Sequence, residues 1–272
     1  MKLSSIVVSQ ESHNSTDPYD LIYSNIQFLN ALFDDYVYTA EVSREALKSY
    51  YIDYYLGQVN NGGFSQFVYN TSWQEEAIEL VREGLLAIGA KRNLALFEQG
   101  ATLVDSLGEK DLAHYLQSGY FGENDERDHL EPISDLFFNL QEEEDLVEFN
   151  YRWLKQHPAL EVLDVNNMQE RIKQISSTLP DREERIQQAL AAEPRYYKVI
   201  RALCAQVGQQ LERVTAGDPN YKYQGHETLA WHFLTEAGHH YMVEVDGSAI
   251  MFKGNSAKQL CRIEAGSQYG TD

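Results

Sequence analysis

The sequence is poor in cysteine, and this excludes two common ways of stabilising a small protein. Only two cysteines, Cys204 and Cys261, occur in 272 residues, which is too few for a disulfide scaffold. They also lack the paired spacing of a zinc site. The N-terminus has one basic residue and a short apolar run, which is not the pattern of a secretion signal. We therefore expect a cytoplasmic protein with reduced thiols.

Long apolar runs are also missing. The longest notable uncharged stretch, residues 54–74, contains three glycines and three asparagines, which a lipid-facing helix would not tolerate in that number. The sequence therefore predicts no membrane-spanning segment. Apolar residues still make up 43% of the chain, enough for a sizeable buried core, so intrinsic disorder is excluded.

Basic residues are scarce, and their scarcity is uneven. The chain has 22 Lys and Arg against 42 Asp and Glu, a net charge of −20, which argues against direct contact with nucleic acid or anionic lipid. Residues 1–160 contain 27 acids and 10 bases, whereas residues 161–272 contain 15 and 12. Residues 121–150 alone contain 11 acids and one base, Arg127. A macromolecular partner is therefore expected to be basic, and to meet this segment.

Apolar periodicity predicts a mainly helical N-terminal domain over residues 15–160. Apolar residues recur at three- and four-residue steps after each of several capping residues. The predicted helices follow Asp17-Pro18, run from Ser43 to Gly57, run from a Ser72/Glu75 capping box to Gly89, and cover 91–107, 109–118 and 144–156.

The remaining residues, 161–272, predict a second domain that mixes helices and strands, so the fold class is α+β. Helices are expected at 166–178, 182–192 and 195–214. After Gly217-Asp218-Pro219 the period changes to two, with an Asp246-Gly247 hairpin turn. We expect a three- or four-stranded antiparallel meander packed on the 195–214 helix, with strands near 228–236, 241–245, 250–252 and 259–264.

The sharpest local motif is a turn that follows the tyrosine-rich helix. Its glycines permit positive φ, and its asparagine amides suit backbone groups left open by a reversal. The structural interpretation is a turn pinned to the core by its phenylalanine. The functional alternative is a small polar pocket lined by the two amides and Ser65, and an enzyme with that pocket is one hypothesis for the whole protein. The motif consists of Asn60, Asn61, Gly62, Gly63 and Phe64.

These residues carry a resemblance. The run Val59-Asn60-Asn61-Gly62-Gly63-Phe64 with Gln66, Phe67 and Tyr69-Asn70 resembles the bacterial domain family named after a DNA-mimic protein. Residues 84–90, 130–138 and 149–158 are similar to further segments of that family, so the resemblance covers roughly residues 40–160. It implies an all-helical domain whose acidic surface imitates the phosphates of DNA and occupies a DNA-binding protein. It does not extend to residues 165–272.

The acidic segment supplies the candidate binding residues. Carboxylates three or four positions apart on a helix lie about 5–6 Å from each other, so a helical array can engage the lysines and arginines that bind phosphates. Two alternatives stay open: a solvated face that only maintains solubility, and an immunity-type inhibitor that blocks a toxin or nuclease. The candidates are Glu123, Asp125, Glu126, Asp128, Glu131, Glu142, Glu143, Glu144, Asp145 and Glu148.

Catalytic and metal-binding signals are weak. The sequence has no nucleophile elbow, phosphate-binding glycine loop or zinc-protease helix, so we predict a non-enzyme without a cofactor. Histidines 226, 232, 239 and 240 cluster near the predicted hairpin, but adjacent histidines in a strand point to opposite faces, so we predict no metal site. Tyrosines 50, 51, 54 and 55 suggest either nucleobase stacking or, in so acidic a domain, a core or homodimer interface.

Overall fold

The computed structural model describes residues 3–254, 256 and 258–270. In these residues, helices dominate the first two thirds of the chain and strands the last third, which confirms the α+β class. The helices are α1 Gln10–Asn14, α2 Pro18–Asp34, α3 Arg44–Thr71, α4 Glu75–Ile88, α5 Lys91–Gln117, α6 Asp125–Leu140, α7 Leu146–Gln156, α8 Val165–Ser177, α9 Arg182–Ala192 and α10 Arg195–Gln206. The strands are β1 Ile6–Ser9, β2 Leu160–Leu163, β3 Leu211–Tyr223, β4 His226–Thr235, β5 Gly238–Val245, β6 Ser248–Lys253 and β7 Lys258–Glu264.

The chain divides into two compact units, Met1–Arg182 and Glu183–Asp272. The first unit continues past the expected boundary at residue 160 for two physical reasons. Strand β2 pairs in parallel with β1, joining Ile6 to Leu160 in register. Helix α8 then packs against α2 and β1. These contacts join residues far apart in sequence, so local periodicity does not reveal them.

The first unit has a core to which α3, α5 and α6 contribute aromatic side chains and α4 contributes aliphatic ones. The Tyr55 ring lies at its centre, fully buried, with the rings of Phe67, Phe97 and Phe137 edge-on to it at centroid distances of 5.1, 5.4 and 5.6 Å. Edge-to-face pairs of this kind add to the stabilisation from apolar burial alone. A second apolar cluster joins α2, β1 and the start of α3.

Two of the predicted helix caps form, and a third does not. Asp17 accepts a hydrogen bond from the Tyr19 N–H at the start of α2, and Ser43 accepts one from the Ala46 N–H at the start of α3, as predicted. The prediction of a Ser72/Glu75 capping box is wrong. Ser72 instead ends α3 in the left-handed conformation (φ 49°), and α4 begins after Gln74 without a side-chain cap.

Two further predictions about the helices need correction. Helix α3 does not end at Gly57 but continues to Thr71 with an internal kink, because the helical backbone tolerates an isolated glycine. Helix α6 had no counterpart among the predicted helices. Its many acids and the internal Pro132 weaken the apolar pattern, although Leu130, Ile133 and Phe137 form a buried face.

The second unit is a five-stranded antiparallel sheet with the strand order β3-β4-β5-β6-β7. Helix α10 packs on one face through Val199, Ile200 and Leu203, against Phe233 and Met251 among others. The meander therefore has one strand more than expected, and the helix predicted over 195–214 ends at Gln206. Gly208 (φ 70°) follows that end, and residues 211–223 form β3.

Among the described residues, no helix is both long enough and apolar enough to cross a membrane.

Candidate functional site

The Asn60–Phe64 motif forms a kink inside α3. The backbone leaves the helical region at Gly62 (φ −153°, ψ 26°) and at Gly63 (φ 80°, ψ 178°), then resumes at Phe64. Gly63 thus adopts the positive φ that the sequence predicts. A Cβ atom at Gly63 would lie 2.5 Å from the Ser134 Oγ atom, well inside van der Waals contact. Both the dihedral angles and the close approach therefore require glycine at this position.

Hydrogen bonds from α5, α6 and the loop between them hold the kink in place. The Phe64 N–H donates to Ser134 Oγ at 2.9 Å, and the Tyr120 hydroxyl donates to the Gly62 carbonyl at 2.7 Å. The Tyr115 hydroxyl donates to the Ser65 carbonyl at 2.8 Å. These bonds satisfy backbone groups that the kink releases from the helix. The motif therefore has a structural role, which is to fix α3 against α5 and α6.

The structural interpretation expected both asparagine amides to bond to backbone groups. In the part of the chain that the structure describes, they bond instead to two different side chains. Asn60 Oδ1 accepts from Gln141 Nε2 at 2.7 Å. Asn61 Nδ2 donates to Gln66 Oε1 at 3.1 Å. Each amide therefore pairs with a glutamine side chain, and the Gln141 contact ties the kink to the end of α6.

An open groove of about 470 Å³ runs beside the kink. Ser65 is buried beneath it, with its Oγ atom 3.3 Å from the Tyr120 hydroxyl oxygen. On its charged side, the Arg127 guanidinium donates to the Asp128 carboxylate at 2.8 Å. Many polar groups of the groove therefore already have partners. The groove is lined by Val59, Asn60, Asn61, Gly62, Gly63, Tyr120, Arg127, Asp128, Glu131 and Phe138.

Helix α6 carries an ordered acidic stripe, which we define as Asp125, Asp128, Glu131 and Asp135. The spacing of three, three and four residues places these side chains on one side of the helix, and all four are exposed. Leu130, Ile133 and Phe137 occupy the opposite side, in the core. The apolar face of α6 therefore fixes the direction in which the acidic stripe points.

Glu126 lies beside the acidic stripe in the first turn of α6. Its carboxylate contacts His114 Nδ1 at 2.8 Å. A hydrogen bond from its own backbone N–H, followed by the one to His114, lowers the pKa of Glu126. Asn124 caps the helix by accepting from the Arg127 N–H at 2.8 Å, so the first-turn acids also gain from the helix dipole.

The acids that follow α6 differ from one another. Glu142 is exposed, and Glu143 is exposed but paired with Arg92. Asp145 caps α7 by accepting from the Val147 and Glu148 N–H groups at 2.9 and 3.3 Å. Glu148 pairs with Arg152 one turn later.

Glu144 is buried, so it does not belong to the exposed surface for which the sequence proposed it. Its side chain is 9% exposed. It accepts hydrogen bonds from the Arg92 N–H at 3.1 Å, the Asn93 N–H at 3.0 Å and Asn93 Nδ2 at 3.0 Å. Glu144 therefore caps the start of α5, where backbone N–H groups have no partner within the helix.

The bases that pair with the acids of 123–148 come from the same unit. In the described residues, the ion pairs of this segment involve His114, Arg127, Arg92 and Arg152. The sequence candidates thus separate into acids with such a pair and acids without one. Glu123, Asp125, Glu131, Glu142 and Asp145 are exposed and have no ion pair in the described structure.

One member of the acidic stripe was absent from the sequence candidates. Asp135 lies four residues after Glu131, and the helical spacing needed to find it was present in the sequence. The sequence predicted no helix over the residues of α6, so this spacing did not identify Asp135 as a candidate. Two exposed aromatics were also missed: Phe121, in the loop before α6, is 90% exposed, and Phe138, on α6, is 45% exposed.

The histidines of the sheet face different ways, as adjacent strand positions require. His239 Nε2 lies 3.1 Å from His232 Nδ1 across the β4-β5 pair, whereas the His240 Nδ1–H donates to the Gly238 carbonyl at 2.8 Å. Within the described residues, no group of three or more metal-ligating side chains is present.

The four tyrosines of α3 lie in two different environments. Tyr55 lies in the core, while Tyr50, Tyr51 and Tyr54 line a pocket at the surface. A homodimer interface through these tyrosines stays a prediction.

The fold and the site together define a helical, acidic domain built around a glycine kink. Residues 40–157 match the family model described as DMP19-like protein. This segment is therefore similar to the DMP19-like family, which confirms the resemblance to the DNA-mimic family over roughly residues 40–160. The match covers less than half of the chain and ends before the second unit. No curated protein and no solved structure matches the chain.

Proposed function

We propose that this protein is a non-catalytic binding protein whose DMP19-like domain imitates DNA and occupies a basic, nucleic-acid-binding protein. The observation that carries the proposal is the acidic stripe of α6, because its apolar face locks four exposed carboxylates into one direction. An acidic surface kept only for solubility does not need such order.

The charge density of the acidic stripe supports this interpretation. Ten residues separate Asp125 from Asp135, which corresponds to about 15 Å of helix at 1.5 Å per residue. Four charges over that length give roughly one per 5 Å, against one per 3.4 Å for a single DNA strand. The stripe alone is thus more dilute than one strand. We propose that Glu123 and Glu142, at the two ends of α6, extend it, together with the ion-paired acids Glu126, Glu143 and Glu148 and the helix-capping Asp145.

Apolar contacts complete the proposed interface. Phe121, in the loop before α6, and Phe138, on α6, are exposed aromatic side chains, and Phe138 lines the groove. Aromatic residues at the centre of an interface frequently contribute most of its binding energy, whereas exposed charges mainly contribute rate and specificity.

The test is capture of basic proteins from the native cell by the immobilised full chain, with elution by duplex DNA. A partner held through its DNA-binding face should be released by DNA. The triple variant Asp128→Asn, Glu131→Gln, Asp135→Asn should lose at least tenfold in affinity for the purified partner. Its circular dichroism should stay unchanged, because the three side chains are exposed.

A matched control removes three charges elsewhere. Glu183→Gln, Glu184→Gln and Glu227→Gln alter exposed acids of the second unit and change the net charge by the same amount. Equal loss in both triple variants would contradict the acidic stripe as the binding surface. Capture of a nuclease that DNA does not release, but whose activity the chain blocks, would favour the immunity-type alternative instead.

The absence of catalysis is part of the same proposal. The enzyme hypothesis required converging polar groups near Asn60 and Asn61, yet both amides are already bonded to glutamines. The nearby hydroxyl, Ser65, lies beneath the surface. These contacts favour a structural role for the turn.

A further inference from the structure

A pocket of about 300 Å³ is lined by residues from the middle and end of α3 and from the start of α4, and none of these residues belongs to the acidic stripe. Three tyrosine rings form one side of it, and small polar side chains form the other. We call it the tyrosine pocket; its lining residues are Tyr50, Tyr51, Tyr54, Asn70, Thr71, Ser72, Gln74 and Ala77.

The three rings are inclined to one another and are held in position. The Tyr50 and Tyr51 ring centroids lie 5.6 Å apart at 55°, and those of Tyr51 and Tyr54 lie 6.1 Å apart at 61°. Phe33 packs edge-on to Tyr50, and Phe67 packs edge-on to Tyr54. The pocket wall is therefore built from fixed aromatic rings in different orientations.

The electrostatic environment of the tyrosine pocket is negative. None of the described residues that line it is basic, whereas each of four other cavities includes Arg92, Arg127, Arg195 or Lys173. Glu76 directly precedes the lining residue Ala77, and Asp53 lies between Tyr51 and Tyr54 in α3. Burial and then the Glu76 carboxylate raise the pKa of Tyr51, so its hydroxyl stays neutral.

We propose that the tyrosine pocket binds an organic cation through an ammonium or guanidinium group that contacts the tyrosine rings. Aromatic rings attract cations by the negative potential of their faces, and groups of such rings are a recurrent site for alkylated ammonium ions. The tyrosine hydroxyls add hydrogen-bond acceptors, and the Glu76 carboxylate, which acts electrostatically on Tyr51, adds negative charge. A volume of this size accommodates a small cationic head group or the end of a side chain. The inference does not depend on the proposed role of the acidic stripe.

The experiment compares choline with 3,3-dimethyl-1-butanol, its neutral analogue of the same shape. The full chain is titrated with each, and the tyrosine ring resonances are followed by NMR. Choline should shift the resonances of Tyr50, Tyr51 and Tyr54 in a saturable manner, and should bind at least fivefold more tightly than the alcohol. Equal affinity for the two compounds would overturn the proposal, because the pocket would then recognise shape without charge.

Variants localise the site. Tyr51→Leu should weaken choline binding by about fivefold or more, while Tyr51→Phe keeps the ring and should retain most of the affinity. Glu76→Gln removes one exposed charge without a packing change and should weaken binding about two- to fourfold. Tyr23→Leu, which alters a half-exposed tyrosine outside the pocket, is the matched control and should have no effect. A loss with Tyr23→Leu equal to that with Tyr51→Leu would also overturn the proposal.

Two further probes distinguish the source of the cation. Agmatine represents a free amine, and a lysine- and arginine-containing peptide represents a protein side chain. Tighter binding of the peptide than of agmatine would assign the pocket to a basic protein partner, and the reverse order would assign it to a free metabolite amine. Failure of every cationic probe to shift the three tyrosines would refute the site, and it would leave the DNA-competition test of the acidic stripe unaffected.

Discussion

Gly63 and Gly57 lie in the same helix, and we expect their replacement by alanine to change stability in opposite directions. Gly63 has a φ of 80°, and an added Cβ would meet Ser134 Oγ, whereas nothing lies within 4 Å of a Cβ at Gly57. Gly63→Ala should therefore lower the free energy of unfolding by about 2–4 kcal/mol. Gly57→Ala should raise it by about 0.5–1 kcal/mol, because alanine favours the helical backbone. Urea unfolding of both variants measures the contrast, and equal effects would contradict the kink as the constraint.

Glu144 and Glu142 make a second contrast between nearly adjacent acids. Glu144→Ala leaves two backbone N–H groups and the Asn93 amide without their acceptor. We expect a loss of about 1–3 kcal/mol in the free energy of unfolding. Glu142→Ala, at an exposed site, should change it by no more than about 0.5 kcal/mol. Thermal and urea unfolding check both, and a neutral Glu144→Ala would show that this carboxylate is not a helix cap.

The burial of Glu144 also explains why the sequence could not separate binding acids from structural ones. Four consecutive acids, residues 142–145, are equivalent in a charge count. What distinguishes Glu144 is that its carboxylate accepts the backbone N–H groups at the start of α5, about fifty residues earlier in the chain. That contact depends on the tertiary fold. A charge-reversal experiment that includes Glu144 would therefore destabilise the domain as well as change its surface, so it would not test binding alone.

At the level of the elements, the sheet contains two histidines whose burial makes stability depend on pH. Desolvation, followed by the neighbouring His239, lowers the pKa of His232, and desolvation lowers the pKa of His240. The folded state therefore binds these protons less readily than the unfolded chain, whose histidines titrate near 6.5. Their contribution is complete above about pH 6.5 and is lost as the pH falls through the lowered folded-state values.

Unfolding of the full chain between pH 7 and pH 5 tests this dependence. The slope contributed by each histidine cannot exceed about 1.4 kcal/mol per pH unit. The double variant His232→Asn, His240→Asn should flatten the profile in this range, whatever its absolute stability. A variant profile parallel to that of the native chain would assign the dependence to other groups.

The second unit shows why the predicted secondary structure failed in one place. Val207, Leu211 and Val214 have helical spacing, so the sequence extends α10 to residue 214. The left-handed Gly208 ends that helix, and residues from Leu211 onward pair with β4. Pro219 also argued for a break, but β3 lies at the edge of the sheet, where a missing N–H is tolerated. The hairpin at Asp246-Gly247 had a local signal, and it forms as predicted.

At the level of the whole molecule, the sequence predicts the net charge well, but the fold determines which acids are exposed and unpaired. The net charge of −20 and its concentration in residues 121–150 follow from counting. The fold then removes Glu144 from the surface, pairs several acids with neighbouring bases, and adds Asp135 to an ordered row. The usable negative charge is therefore smaller and better directed than the count suggests.

This reduced but ordered charge determines how partner binding should respond to salt. The Debye length falls from about 30 Å at 0.01 M to about 8 Å at 0.15 M ionic strength, and the acidic stripe, about 15 Å long, lies between these values. Over that range the stripe changes from acting as one extended charge to acting as separate carboxylates. Affinity for the captured partner should therefore fall at least tenfold, measured by titration at several salt concentrations.

Comparison of slopes identifies which charges are responsible. The stripe variant Asp128→Asn, Glu131→Gln, Asp135→Asn should show a distinctly shallower salt dependence than the native chain. The matched variant in the second unit should keep the native slope, because its acids lie outside the proposed contact. A flat response in the native chain would point to Phe121 and Phe138 as the dominant contacts, since apolar burial is insensitive to screening at these concentrations. DNA mimicry would then be excluded, because an imitation of phosphates has to act through its charge.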